Sequence, residues 1–115
     1  MKYLLLVLIL LLSACSKVDD ETLIAAHKAV EQGAVIVDVR TPQEFKSKHV
    51  NGAINLPVEG LAKSFSQLDK NKEIILYCRS GRRSALAADL LRAQGYRVYD
   101  VATQADWERQ LTSAE

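Results

Sequence analysis

The sequence has few of the residues from which metal and disulfide sites are built. Two cysteines and two histidines occur among 115 residues. His49 stands near neither a second histidine nor an acid at metal-ligand spacing, and no zinc pattern occurs anywhere in the chain. A metal site is therefore not expected, and no cofactor is implied. Fifteen basic residues face fourteen acidic ones, for a net charge of +1, so there is no basic field of the kind a nucleic-acid binder carries. The apolar run at residues 3–12 is too short to span a bilayer as a helix. No internal repeat and no second domain are visible, and 115 residues suffice for one domain with a modest core.

The N-terminal stretch, MKYLLLVLILLLSAC, sets one lysine before that apolar run, the pattern of a signal-peptide core. Leu12-Ser13-Ala14-Cys15 is similar to a bacterial lipoprotein cleavage box. This resemblance implies a signal peptide at residues 1–14, a lipidated Cys15, and a polar tether at residues 15–19. An ordinary secretory signal and an uncleaved short anchor are the alternatives. Several acyl chains would hold the protein stably, whereas one binds only marginally. The expected location is the bacterial cell envelope, lipid-anchored and facing the periplasm. Ser16, where an aspartate would argue for the inner membrane, weakly favours the outer one. With Cys15 lipidated no intrachain disulfide can form, although the compartment is oxidising. Cys78 is then a single free thiol, open to overoxidation or mixed disulfides.

The chain is organised around residues 73–95, EIILYCRSGRRSALAADLLRAQG. Residues 73–77 form an apolar run of buried-strand length. Residues 84–94 carry Leu86, Ala87, Leu90 and Leu91 on one face at helical period, and Gly95 is the stop signal. Between them lie Cys78, Arg79, Ser80, Gly81, Arg82 and Arg83. A thiol thus stands at the carboxyl end of a strand, in a tight cationic loop, before a helix N-terminus. The thiolate is the reactive form of cysteine, and cations and helix N-termini favour it. Inward-pointing amides of such a loop favour negative charge as well. Gly81 permits a positive φ or a close backbone approach. The bland alternative is an inert core thiol beside a solvated arginine run.

This loop, CRSGRRS after an apolar strand, resembles the active-site loop of rhodanese-type sulfurtransferases. A second stretch agrees. Asp38-Val39-Arg40, Pro42, Glu44-Phe45 and His49-Val50-Asn51-Gly52-Ala53-Ile54-Asn55-Leu56-Pro57 are similar to the upstream motif of that family. The resemblance covers roughly residues 20–111 and implies a single rhodanese-like domain at residues 20–112. It implies an α/β three-layer fold with a parallel sheet of about five strands and helices on both faces. It also implies sulfur transfer through a Cys78 persulfide, with the loop amides surrounding the persulfide. Asp38 and Arg40 would support the loop and take no part in the chemistry. In the family Gly-Gly often follows the last strand; here Ala102-Thr103 stands there, which leaves substrate specificity open.

The remaining segments fit that architecture. Asp19 or Asp20 caps a helix running to Gly33, on which His27 is a half-buried or surface residue. Residues 34–39 form a strand buried on both faces. Thr41-Pro42-Gln43-Glu44 is a capping box with proline at the first helical position, opening a short helix to about Ser47. His49 reads as a structural motif residue. A short strand is predicted at residues 53–56. Residues 58–68 read as one helix or two broken turns, weakened by Gly60. The last elements are a strand at residues 96–101 and a helix at residues 104–111, capped by Thr103 with Trp107 turned inward. Strands alternating with helices give a parallel sheet, and right-handed crossovers put the Cys78 loop at its carboxyl edge.

The chemistry these residues fit is ping-pong transfer of a sulfane sulfur. A small anionic donor such as thiosulfate loads Cys78, and cyanide, a thiol or an acceptor protein takes the sulfur away. Arg79, Arg82 and Arg83 would attract and orient the anion. Arg83, nearest the helix, would matter most. Ser80 and Ser84 add hydroxyl hydrogen bonds, unless Ser84 is simply the helix cap. Two other readings remain open. One is a non-enzymatic persulfide carrier or docking module. The other is a cysteine phosphatase or arsenate reductase. Those loops place five residues between cysteine and arginine; here Arg83 follows after four and Ser84 fills the next position.

Overall fold

A computed structural model of the chain describes residues 18–111. The expected signal peptide and the lipidation site Cys15 lie outside the described residues. Among the described residues, four parallel strands, β1 (Val35–Asp38), β2 (Ile54–Asn55), β3 (Ile74–Cys78) and β4 (Val98–Thr103), form one sheet in the order β2-β1-β3-β4. The expectation of about five strands is thus close. The α/β fold with helices on both faces is found as expected.

Strand periodicity sorts the core into two layers. Ile74, Leu76 and Cys78 point to one face with Val37, Val39, Leu61, Ala87, Ala88 and Leu91. Ile75 and Tyr77 point to the other, with Leu23, Ala26, Ile36, Val50, Val101 and Trp107. The first layer is covered by α4 (Arg82–Ala93) and the second by α1 (Asp20–Glu31) and α5 (Gln104–Glu108). All five residues of β3 are buried, so the central strand fixes the fold. Each large side chain of this kind contributes roughly 1.5–3 kcal/mol by burial.

The local signals act where the sequence places them. Asp19 caps α1 by accepting from the Thr22 amide at 2.7 Å. Thr41 and Glu44 close a complete capping box at the start of α2 (Pro42–Ser47). Of the two readings for residues 58–68, the broken one holds: 3-10 turns at Val58–Gly60 and Phe65–Gln67 flank a single helical turn, α3 (Leu61–Ser64). The buried Tyr96 hydroxyl pins this segment through the carbonyls of Leu68 (2.8 Å) and Phe65 (2.9 Å).

Most strand and helix ends shift by a residue or two from expectation, and three shifts have a visible cause. β4 begins at Val98, because the Tyr96 amide is still bonded to the Leu91 carbonyl and closes the end of α4. α4 begins at Arg82, capped by Gly81, so Ser84 is not the helix cap; it is a fully buried helical residue. α5 stops at Glu108, where Arg109 turns back to Asp106, Asp20 and the Val18 carbonyl.

Candidate active site

The site starts from the last residue of β3. Period-two alternation sends Cys78 to the face covered by α4, while Tyr77 goes to the other. The chain turns back at once. Gly81, at φ +93°, makes the turn and caps α4. A Cβ built on Gly81 would lie 3.2 Å from the Ala102 Cβ, so this corner is closed to side chains.

The turn aims donors at sulfur. Cys78 Sγ accepts from the Gly81 amide at 3.0 Å and from the Ser84 amide at 3.3 Å. The thiol faces Ser84 Oγ at 3.6 Å, and the Ser84 hydroxyl donates to the Gly81 carbonyl at 3.1 Å. Two backbone amides therefore already serve the sulfur. Once it ionises, the Ser84 hydroxyl can rotate to become a third donor. Cys78 is 1% exposed, whereas Arg79, Ser80 and Arg82 are exposed. Burial among donors in fixed positions is the arrangement that stabilises an anion without reorganisation.

The arginines divide in a way the sequence did not disclose. Arg83 forms a two-pronged ion pair with Glu44, Nη1 to Oε1 at 2.7 Å and Nη2 to Oε2 at 3.0 Å. Glu44 also accepts from the Thr41 amide at 3.1 Å within the capping box. The Arg83 guanidinium, followed by the Thr41 amide, lowers the Glu44 carboxyl from its ordinary 4.5 to about 2. Arg83 is correspondingly raised, first by its bond to Glu44 and more weakly by the charges of Cys78 and Glu59. The expectation that Arg83 orients the incoming anion thus meets a guanidinium already engaged by a carboxylate. Arg79 and Arg82 carry the exposed charge of the loop.

Asp38 and Arg40 lie behind the loop. The fully buried Asp38 takes Arg40 Nε at 2.9 and 3.0 Å and Nη2 at 2.6 Å, and its Oδ1 also accepts from the Arg40 amide. The Tyr77 hydroxyl donates to Asp38 Oδ2 at 2.8 Å and accepts from the Val50 amide at 3.0 Å. Burial, chiefly, raises the Tyr77 phenol to about 12. Arg40 also donates to the Lys48 carbonyl, and Asn55 ties the Asp38 and Arg40 carbonyls together. This network welds the ends of β1, β2 and β3. Tyr77 lies on the face of the sheet opposite Cys78, whereas Arg40 borders a cleft with Glu44 and Arg79.

Both histidines are occupied structurally. His27 stacks on Trp107 with ring centroids 3.6 Å apart and donates from Nε2 to the Trp107 carbonyl. They border a cavity of about 500 Å³ on the face opposite Cys78, with Val30, Ile36, Val50 and Leu111. His49 stacks on Phe45 and donates from Nδ1 to its carbonyl at 2.7 Å. Sequence reasoning missed Glu44 and Tyr77 as partners of the site. Glu44 was visible in the capping box and in the upstream motif, but one role concealed the other.

A model of the rhodanese-like domain matches residues 22–103. The chain belongs to the rhodanese-like family. It is 33% identical over 81 residues to a sulfurtransferase of Allochromatium vinosum, spanning 70% of this chain and 75% of that one. It is 37% identical over 62 residues to the thiosulfate sulfurtransferase PspE of Escherichia coli, spanning 52% of this chain and 60% of that one. Among solved structures, an Escherichia coli rhodanese with anions superposes with a TM-score of 0.62 at 31% identity. That match covers 68% of this chain and 95% of that one. The chain spans 40%, 75% and 60% of the first three curated relatives it matches. Within this rhodanese-like domain the phosphatase spacing is absent. The position those loops give to arginine holds Ser84, buried against sulfur.

Proposed function

We propose that this rhodanese-like protein is a thiosulfate sulfurtransferase working through a Cys78 persulfide. The Cys78 thiolate attacks the outer sulfur of thiosulfate. The sulfur–sulfur bond of the donor breaks, its electron pair leaves with sulfite, and Cys78 carries the extra sulfur as a persulfide anion. Cyanide or a thiolate then attacks that outer sulfur, and the cysteine thiolate is regenerated as the leaving group. No proton transfer limits either half, so no general base is required.

The single observation that carries this reading is the pair of amides from Gly81 and Ser84 on Cys78 Sγ, at 3.0 and 3.3 Å. These donors favour the negative form of whichever sulfur they face. The relatives named as sulfurtransferase and thiosulfate sulfurtransferase support the same chemistry. Steady thiocyanate production from thiosulfate and cyanide, abolished in Cys78→Ser, is the expected result. Persulfide loading without turnover would make the protein a carrier for a partner. Hydrolysis of an aryl phosphate with no thiosulfate turnover would make it a phosphatase.

We propose further that Cys15 is lipidated and holds the domain at the periplasmic side of the envelope, with the outer membrane weakly favoured. The cleavage box at residues 12–15 supports this. Palmitate labelling and globomycin-sensitive processing are expected, and a soluble periplasmic product would refute it.

A further inference from the structure

Glu44 stands 34 residues before Cys78 in α2, yet it pairs with Arg83, one of the three arginines that follow Cys78. Both of its oxygens are committed to Arg83, and the Thr41 amide and hydroxyl hold it in place from behind. Arg83 adjoins Ser84, whose amide reaches Cys78 Sγ at 3.3 Å, and the charge of Cys78 is among those that act on Arg83. Arg79 and Arg82 are exposed, so solvent screens them more strongly. A two-pronged carboxylate leaves the Arg83–Glu44 pair with no net charge and occupies the fork that would otherwise grip an oxyanion.

The sulfur-transfer reading gives this a consequence. Thiosulfate and sulfite are both dianions, one entering and one leaving. A free guanidinium would hold both more tightly, and binding substrate and product equally does not accelerate the chemical step. We propose that Glu44 is a positioning residue that acts through Arg83: it withholds Arg83 from the anion, so the pocket binds dianions weakly and releases sulfite. The reactive sulfur is then served by amides, not by this cation.

Glu44→Gln is the test. Glutamine still completes the capping box, so α2 keeps its start, while the charge on Arg83 is unmasked. The variant is expected to bind sulfate about fivefold more tightly, the size of one partly screened charge interaction. Sulfate protection of Cys78 against iodoacetamide reads this without turnover and so is independent of the proposed reaction. In turnover, KM for thiosulfate falls by a similar factor, kcat does not rise, and inhibition by sulfite strengthens. High salt erases these differences. Glu44→Asp, which keeps the charge, stays near the parent protein. The proposal is overturned if sulfate fails to protect Glu44→Gln, or protects it no better than the parent. It is also overturned if KM for thiosulfate rises, because Glu44 would then be merely holding Arg83 in place to bind anions. If the parent turns over no thiosulfate, the sulfur-transfer reading fails while the protection assay still decides the role of Glu44.

Discussion

Gly81 and Ala102 are in contact across the corner that shapes the sulfur site, and exchanging one methyl group between them tests that geometry. Gly81 sits at φ +93°, where an L-residue costs about 1–2 kcal/mol. An added Cβ would also meet the Ala102 Cβ at 3.2 Å, tighter than ordinary contact. Ala102 cannot retreat freely: it is itself at φ +63°, and its amide is held by Asp100 Oδ1 at 2.9 Å. Against these costs, alanine restricts the unfolded chain and returns about 0.4–1 kcal/mol. The net expected loss for Gly81→Ala is therefore about 1–2 kcal/mol, or a fall in Tm of roughly 5–15 °C for a domain of this size. Sulfur transfer should fall with it, because the Gly81 amide is the shortest donor to Sγ. Ala102→Gly in the Gly81→Ala background removes the contact but not the φ cost. It also relieves the left-handed backbone at position 102 itself, so the contact is read as the coupling in a double-mutant cycle by urea denaturation, about half a kcal/mol. A Gly81→Ala protein as stable and as active as the parent would refute the left-handed turn. Zero coupling with Ala102→Gly would refute the contact.

Other perturbations separate the site from its support. Tyr77→Phe strips Asp38 and the Val50 amide of a buried partner and should cost about 1–3 kcal/mol in urea denaturation. Persulfide loading of the folded variant should persist. Ser84→Ala keeps the backbone amide but removes the hydroxyl that faces sulfur; a roughly tenfold fall in kcat/KM with little change in Tm is expected. The Glu44 carboxyl is held at about 2 against an ordinary 4.5. A depressed acid stabilises the fold above the unfolded value and loses that contribution as pH falls through the folded one. With each side chain of the pair about a quarter exposed, solvent screening limits the contribution to about 1 kcal/mol. The stability gap between the parent and Glu44→Gln should therefore be constant near neutrality and close between pH 4.5 and 2.

What the sequence disclosed was local. An apolar run ending in cysteine, a glycine and a helical repeat were enough to place Cys78 at a strand end, because each signal acts within a few residues. The Thr41–Glu44 capping box was legible for the same reason. What stayed hidden joins distant positions. Glu44 and Arg83 are 39 residues apart, and only the fold brings α2 within reach of the first turn of α4. The Tyr77 hydroxyl reads in sequence as one more apolar strand residue; the topology points it at Asp38, also 39 residues away. β4 pairs Leu76 with Asp100 but Cys78 with Thr103, and this shift in register puts Ala102 against Gly81. The departure from Gly-Gly was visible, but the left-handed backbone that an alanine adopts there was not.

Amides that make a sulfur anion comfortable at Cys78 should leave it loaded with sulfur, and intact-mass spectrometry after incubation with thiosulfate reads the outcome directly. The predicted result is a gain of one sulfur atom, lost on adding cyanide and absent in Cys78→Ser. An unchanged mass, with Cys78 still a free thiol that alkylates sluggishly at neutral pH, would contradict it.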